Sequence, residues 1–223
     1  MVIPYVAIMK SLLAQKGPAE KALERLEAMA QQDIPRFTSA MMLIALGILL
    51  KGSQSLKLAE DANPAFSYLD SFLSFQPGQK DETDYMNVPY LRNRAGDLNL
   101  WLAVPLLRQR GYRFVGTPAI VTGDRALHRL IFRVIPPVSQ VNLDMGFTLF
   151  PEGLPMTLCQ KVMAIATSVQ VRANPTAKEQ LTRMTYLFDF AKECCADERE
   201  RKASDQVFSD WWLPGFDKKI DLS

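Results

Sequence analysis

The chain has 223 residues, of which 48% are hydrophobic and 22% are charged, and its formal net charge is +2. This composition excludes a disordered chain, and the length allows a sizeable core. A net charge so close to zero indicates no partner by itself. The cysteines, Cys159, Cys194 and Cys195, are odd in number and form no disulfide framework, which favours a reducing compartment.

The sequence predicts a cytoplasmic or other intracellular protein. Residues 1–10 contain no basic region followed by a cleavage site, so we expect no signal peptide. The most apolar run, residues 41–50, is half of the roughly 20 residues that a membrane-spanning helix needs. We therefore expect no transmembrane segment, and a helix that is buried on all sides in the core, the alternative being a re-entrant or interfacial segment.

The first third of the chain has the period of helices. Apolar residues three and four positions apart predict helices over residues 4–16 and 19–32, and a third helix over 38–58 contains the apolar run. Further along, Asp97 is expected to cap a helix that ends near Pro105.

The middle of the chain alternates as strands do. In SQVNLDMGFTLF, residues 139–150, five apolar positions alternate with polar ones, which indicates a strand with one buried face. Its expected partner is the segment 127–135, and Gly111 is expected to start an edge strand over 111–115. An antiparallel sheet of about three strands follows from this pattern.

The helical period then returns. Thr176 and Glu179 have the spacing of a capping box at the start of a helix. The order of the elements predicts an α+β fold in a single domain, residues 1–223, with an N-terminal helical layer, a small central antiparallel sheet and C-terminal helices. Its predicted parts are a helical layer over 1–75, a strand-containing part over 108–150, helices over 155–203 and an aromatic tail over 204–223.

Residues able to do chemistry are few. The single histidine, His128, lies in a predicted strand, and no nucleophile motif points to it as a base. One histidine and a vicinal cysteine pair form no metal-binding pattern, and the chain has no phosphate-binding loop and no nucleophile elbow. We therefore expect no cofactor, no metal and no catalytic residue, although carboxylates can pair in space without a sequence pattern.

The charge is unevenly distributed along the chain. The span from Arg92 to Arg133 contains eight arginines, no lysine and two acids, a net charge of +6, whereas residues 59–84 have a net charge of −5. Arginine binds phosphate in a bidentate manner and stacks on flat rings. The candidate polyanion-binding residues are therefore Arg108, Arg110, Arg113, Arg125, Arg129 and Arg133. The alternative is that these arginines pair with the acidic stretch or are only solvated.

The tail DWWLPGF places Trp211, Trp212 and Phe216 after a charged segment. These aromatic residues either dock on the core of the chain itself or serve as an anchor for a protein partner or for self-assembly, since buried aromatic anchors dominate many interfaces.

Three classes of function follow from these features. The first is a non-enzymatic polyanion- or nucleic-acid-binding or assembly protein, of a viral structural or DNA-associated type, that uses the arginine-rich segment. The second is a protein–protein adaptor or secretion-type chaperone whose helical faces and tryptophan-rich tail bind partner proteins. The third, with the least support in the sequence, is an enzyme that uses carboxylates or His128.

Overall fold

The fold is helical. A computed structural model describes residues 2–35, 37–52, 65–75, 85–109, 111–116, 121–124, 126–127, 156–167 and 175–220, and 77% of this part is helical. Its helices are α1 (Ile3–Ala14), α2 (Ala19–Ala30), α3 (Thr38–Gly52), α4 (Ala65–Leu73), α5 (Val88–Gln109), α6 (Met156–Thr167), α7 (Ala177–Cys194), α8 (Glu198–Val207) and α9 (Leu213–Ile220). A five-residue π-helical segment, Phe208–Trp212, joins α8 to α9.

The predicted α+β fold with a central antiparallel sheet is wrong, because the described residues contain no strand and no sheet. The expected edge strand over 111–115 is a turn followed by irregular chain. The other two predicted strands fall outside the described residues, except that Leu127 of the segment 127–135 is helical; the segment 139–150 lies wholly outside them. Where the prediction can be compared with the structure, a helix end was mistaken for a strand start.

Helix α3 lies at the centre of the core. Every residue from Ala40 to Leu50 is buried, as expected for a helix that is apolar on all faces. Helices α1, α2, α4 and α6 pack around it. Gly47 allows α4 to approach closely, because a Cβ atom there would overlap the buried side chain of Leu69.

Helix α1 is also buried along most of its length and packs against α3, α5 and α7. Its contact with α7 joins the start of the chain to its last third. In this contact the Ser11 hydroxyl donates to Cys195 Sγ over 3.5 Å, and both side chains are buried.

Side chains of neighbouring helices cap the C-terminal end of α4. The Leu73 carbonyl accepts hydrogen bonds from Lys10 Nζ and from the Tyr90 hydroxyl, both at 2.8 Å. The Ser74 carbonyl accepts from Arg94 at 3.2 Å. These carbonyls have no partner within their own helix, and cations are favoured at this negative end of the helix dipole. Lys10 of α1 and Arg94 of α5 therefore fix α4 in place.

Side chains of other elements also cap the C-terminal end of α7. The carbonyls of Glu193, Cys194 and Cys195 accept hydrogen bonds from Arg25 (3.3 Å), Gln15 (3.2 Å) and Arg201 (3.0 Å). At the end of α1, Lys51 Nζ donates to the carbonyls of Leu13 and Gln15. Cationic side chains of other elements thus contribute to the cap at each of these three helix ends.

Helix α5 is longer than predicted. Its N-cap is Asn87, whose Oδ1 accepts from the Tyr90 N–H at 2.8 Å, and not Asp97, which lies inside the helix and pairs with Arg94 over 3.6 Å. The helix also continues through Pro105. Proline removes one backbone hydrogen bond and costs about 3 kcal/mol, which the burial of residues such as Tyr90, Leu91 and Leu98 offsets.

Helix α5 ends at a glycine. Gly111 has a φ of +77°, and the Tyr112 N–H donates to the Leu107 carbonyl at 2.9 Å. A glycine in the left-handed conformation, followed by a residue whose N–H bonds to the carbonyl five positions earlier, is a Schellman cap. Gly111 therefore ends a helix and does not start a strand.

Two alanine substitutions in this region should have opposite effects on stability. Gly111→Ala places a Cβ atom on a left-handed backbone and should lower the free energy of unfolding by about 1 kcal/mol. Gly96→Ala, at an exposed position inside α5, should raise it by up to about 1 kcal/mol because alanine favours the helix. A Cβ atom meets nothing within 4 Å at either position. Urea unfolding followed by circular dichroism measures both, and a stabilised Gly111→Ala variant would contradict the cap.

Local chemistry explains where the last helices begin and why a π-helical segment precedes α9. The capping box predicted for Thr176 and Glu179 is confirmed at the start of α7. Asp197 caps α8 by accepting from the Arg199 N–H at 2.8 Å. Pro214 cannot donate to the carbonyl four residues earlier, and its ring presses on that carbonyl. The π-helical segment, which ends at Trp212 and contains that carbonyl, relieves this conflict by widening the helix.

Candidate binding surface of arginine and aromatic side chains

The start of α5 and the C-terminal helices meet along one edge of the fold. The Arg92 guanidinium lies over the ring of Trp211 at 3.9 Å, and that of Arg199 lies over Tyr85 at 4.2 Å. The residues that follow Tyr85 and Arg199 in sequence are also in contact, because the Met86 N–H donates to Glu200 Oε1 at 3.1 Å. We call the four side chains of Tyr85, Arg92, Arg199 and Trp211 the Arg–aromatic surface.

The Arg92–Trp211 pair is open to solvent. The Arg92 side chain is exposed, and Trp211 is 45% exposed. A guanidinium that lies on an indole keeps its edge donors free for an anion, and both groups offer flat faces for stacking. This pair therefore offers both a charge for an oxyanion and a platform for a ring.

The other charges of this surface are partly paired. Asp197 accepts hydrogen bonds from Arg199 Nε and from a terminal guanidinium nitrogen at 2.6 Å. These bonds lower the pKa of Asp197 to about 2, so the pair is ionised at neutral pH. Arg201 lies 3.6 Å from Glu198. Within the described residues, Arg92 forms no ion pair, so it is the arginine of this surface whose charge is best available.

The remaining aromatic residues of the tail form a row of successive ring contacts that begins at α7. Phe188 of α7 contacts Phe208 at 4.9 Å between ring centroids, Phe208 stacks on Trp212 at 5.6 Å, and Trp212 stacks on Phe216 at 4.8 Å. Trp212 is partly buried and Phe216 is 7% exposed. These two residues are therefore docked on the chain itself, whereas Trp211 faces outward.

The arginines predicted to bind polyanions are only partly described. Arg113 is exposed in the segment after α5. The backbone of Arg108 lies in the last turns of α5, and Arg110, Arg125, Arg129 and Arg133 lie outside the described residues, as does His128. The described residues therefore do not test the predicted set, and they add Arg92, which the sequence gave no reason to separate from the others.

Arg94, from the same arginine-rich span, is 5% exposed and is not part of any surface. Its guanidinium lies 5.5 Å from the ring centroid of Phe72 and 5.6 Å from that of Tyr90. Burial raises the pKa of its partner Asp97, and the positive charge of Arg94 opposes that shift. A count of arginines along the sequence therefore overstates the charge that a partner can reach.

The aromatic residues beside Arg113 are not in the core. Tyr112 is 59% exposed and contacts Phe114 edge to face at 4.9 Å. The segment after Gly111 is irregular chain and not the expected strand, so the two rings do not share a buried strand face.

The vicinal cysteines are part of the core. Cys194 and Cys195 are 2% and 1% exposed, whereas Cys159 is partly exposed. Burial raises the pKa of Cys194 to about 12 and also raises that of Cys195. Since the thiolate is the reactive form, neither buried thiol is poised for redox or acyl chemistry.

Thiol labelling should therefore distinguish the three cysteines. In the native protein at pH 8, dithionitrobenzoate should modify only Cys159 quickly, and Cys194 and Cys195 should react only when the chain unfolds. At this pH, a pKa of about 12 leaves roughly one Cys194 thiol in 10,000 ionised. Cys159→Ser should remove the fast phase, and a fast phase that persists in this variant would contradict the described burial.

The described residues contain no group of three or more histidine, cysteine or acidic residues that could hold a metal ion. Among the helices described, none is both long enough and apolar enough to cross a membrane. Comparisons of the chain with protein-family models, with curated proteins and with solved structures found no match in any of the three.

Proposed function

We propose that the protein is a non-enzymatic binding protein that holds a polyanion, specifically single-stranded nucleic acid, on the Arg–aromatic surface. The contact between Arg92 and Trp211 carries this proposal. Arg92 belongs to the arginine-rich span and Trp211 to the aromatic tail, the two features that the sequence singles out separately. Their contact puts a phosphate-binding group and a stacking group side by side.

Single-stranded nucleic acid needs both of these groups. Its phosphates bind to cations, and its unpaired bases stack on aromatic rings and on guanidinium planes. Arg199 and Tyr85 provide a second stack of a guanidinium on a ring, although the Asp197 carboxylate pairs with this guanidinium. One available cation with two such stacks fits a strand better than an isolated phosphate, because a strand offers several bases for stacking.

The predicted arginines extend this proposal. Arg113 is exposed and free to bind a phosphate beyond the end of α5. Arg108, Arg110, Arg125, Arg129 and Arg133 stay candidates for the same role.

A protein partner is the second candidate, and the 45% exposure of Trp211 favours it. Tryptophan and arginine are the residues most enriched at the energetic centres of protein interfaces. An acidic partner segment would then occupy the place that we assign to nucleic acid. Direct binding of an oligonucleotide to the purified protein distinguishes the nucleic-acid proposal from the protein-partner alternative.

Two substitutions test the nucleic-acid proposal. Trp211→Ala should weaken binding of a labelled single-stranded oligonucleotide by about 1–3 kcal/mol, the energy of one stacked base. Arg92→Ala should weaken binding and lower the slope of log K against log salt by about 0.7, as expected for one phosphate contact. Fluorescence anisotropy over a range of salt concentrations measures both effects.

Lys178→Ala is the matched control. Lys178 is an exposed cation in the first turn of α7, about 15 Å along that helix from Phe188, the α7 residue that contacts the segment containing Trp211. Its loss should leave affinity and salt slope unchanged. If the wild-type protein binds no oligonucleotide at low salt, or if all three variants lose affinity equally, the nucleic-acid proposal is wrong.

A further inference from the structure

A separate cavity lies between the turn that joins α1 to α2 and the C-terminal part of α3. Its volume is about 170 Å³. It is smaller than the pockets of roughly 300 Å³ or more that hold drug-sized ligands. At about 30 Å³ for each water molecule of liquid water, it has room for a small solute. This cavity shares no residue with the Arg–aromatic surface.

Three lysines line this cavity, Lys16, Lys21 and Lys51. Lys51 is held in one place, because its Nζ donates to the carbonyls of Leu13 and Gln15. An ammonium group has three hydrogens, so one of them is left for a ligand. Lys16 and Lys21 are exposed and can turn toward an anion.

The lining contains no carboxylate to neutralise these lysines. Glu20 is in the first turn of α2 but does not line the cavity, and Asp70 of α4 acts on Lys51 through its charge. Burial lowers the pKa of Lys51 and outweighs the attraction of Asp70. An anion in the cavity would supply the negative charge that the lining itself does not contain.

The opposite wall of the cavity is apolar and contains Leu12, Ala22 and Ile48. A ligand that fits both walls has one anionic end and a short uncharged part. The start of α2 adds to the attraction for an anion, since its N-cap, Pro18, forms no side-chain hydrogen bond to the first turn.

We propose that this cavity binds a small phosphate monoester, with its phosphate held by Lys16, Lys21 and Lys51 and its uncharged part against Leu12, Ala22 and Ile48. A phosphate dianion suits a site with three cations and no acid better than a single carboxylate does. The site is independent of nucleic-acid binding, so either proposal can fail without the other.

Titration calorimetry with inorganic phosphate and with glycerol 3-phosphate tests the site, with sodium chloride holding the ionic strength constant. The wild-type protein should bind glycerol 3-phosphate with a dissociation constant of about 1 mM or lower. The double variant Lys16→Gln/Lys21→Gln should bind it at least fivefold more weakly. Both lysines are exposed, so this variant leaves the core intact.

The control removes two other exposed lysines, in Lys161→Gln/Lys178→Gln, and should bind as the wild-type protein does. No binding of either phosphate at millimolar concentration would overturn the proposal, as would equal losses in the two double variants. An oligonucleotide without a terminal phosphate should not compete. If it displaces glycerol 3-phosphate, the lysines belong to a nucleic-acid-binding surface and the small-molecule site is wrong.

Discussion

The arrangement of the helices depends on hydrogen bonds from side chains of one helix to the carbonyl groups at the C-terminal end of another. A helix leaves its last carbonyls without partners, and burying them unpaired is costly. Here α1, α4 and α7 end against neighbouring helices, and long side chains of those neighbours donate to the carbonyls. Each such bond joins two elements, so Lys10, Lys51 and Arg94 act as inter-helix links and not only as surface charges. Replacing one of them would leave a carbonyl without its donor at a packed helix end.

This constraint decides how the charges of the chain should be understood. Arg25, Arg94, Arg183 and Arg201 all donate to backbone carbonyls of other segments. An arginine whose donors are occupied in this way contributes less to the attraction of a partner than an exposed one does, whereas Lys51 keeps one ammonium hydrogen for a ligand. What remains for binding is a smaller set, in which Arg92 stands out because it lies on an exposed indole. The function that we propose depends on that set and not on the net charge.

Local patterns predicted the helices well and the connections between them poorly. The helices expected over 4–16 and 19–32 are present as Ile3–Ala14 and Ala19–Ala30, because their signals lie within a few turns of chain. The end of α5 was missed although the glycine signal was in the sequence: an arginine-rich last turn before Gly111 is also the pattern of a helix cap. The contact of Arg92 with Trp211 had no such signal, since it depends on how α5 and α8 pack. The hydrogen bonds that cap one helix from another also could not be predicted, because nothing near Lys10 in sequence indicates the Leu73 carbonyl as its acceptor.

The packing of α1 against α7 has a consequence for the synthesis of the chain. The hydrogen bond between Ser11 and Cys195 joins residues that are 184 positions apart. At the usual 5–20 residues per second, a ribosome needs roughly 10 to 40 s to reach Cys195 after it has added Ser11. Throughout that time the apolar faces of α1 that later contact α7 have no partner, and they are open to chaperones or to a second nascent chain. Completion of the core is therefore timed by translation of the last third, and slow codons before α7 would lengthen the period in which the chain can aggregate.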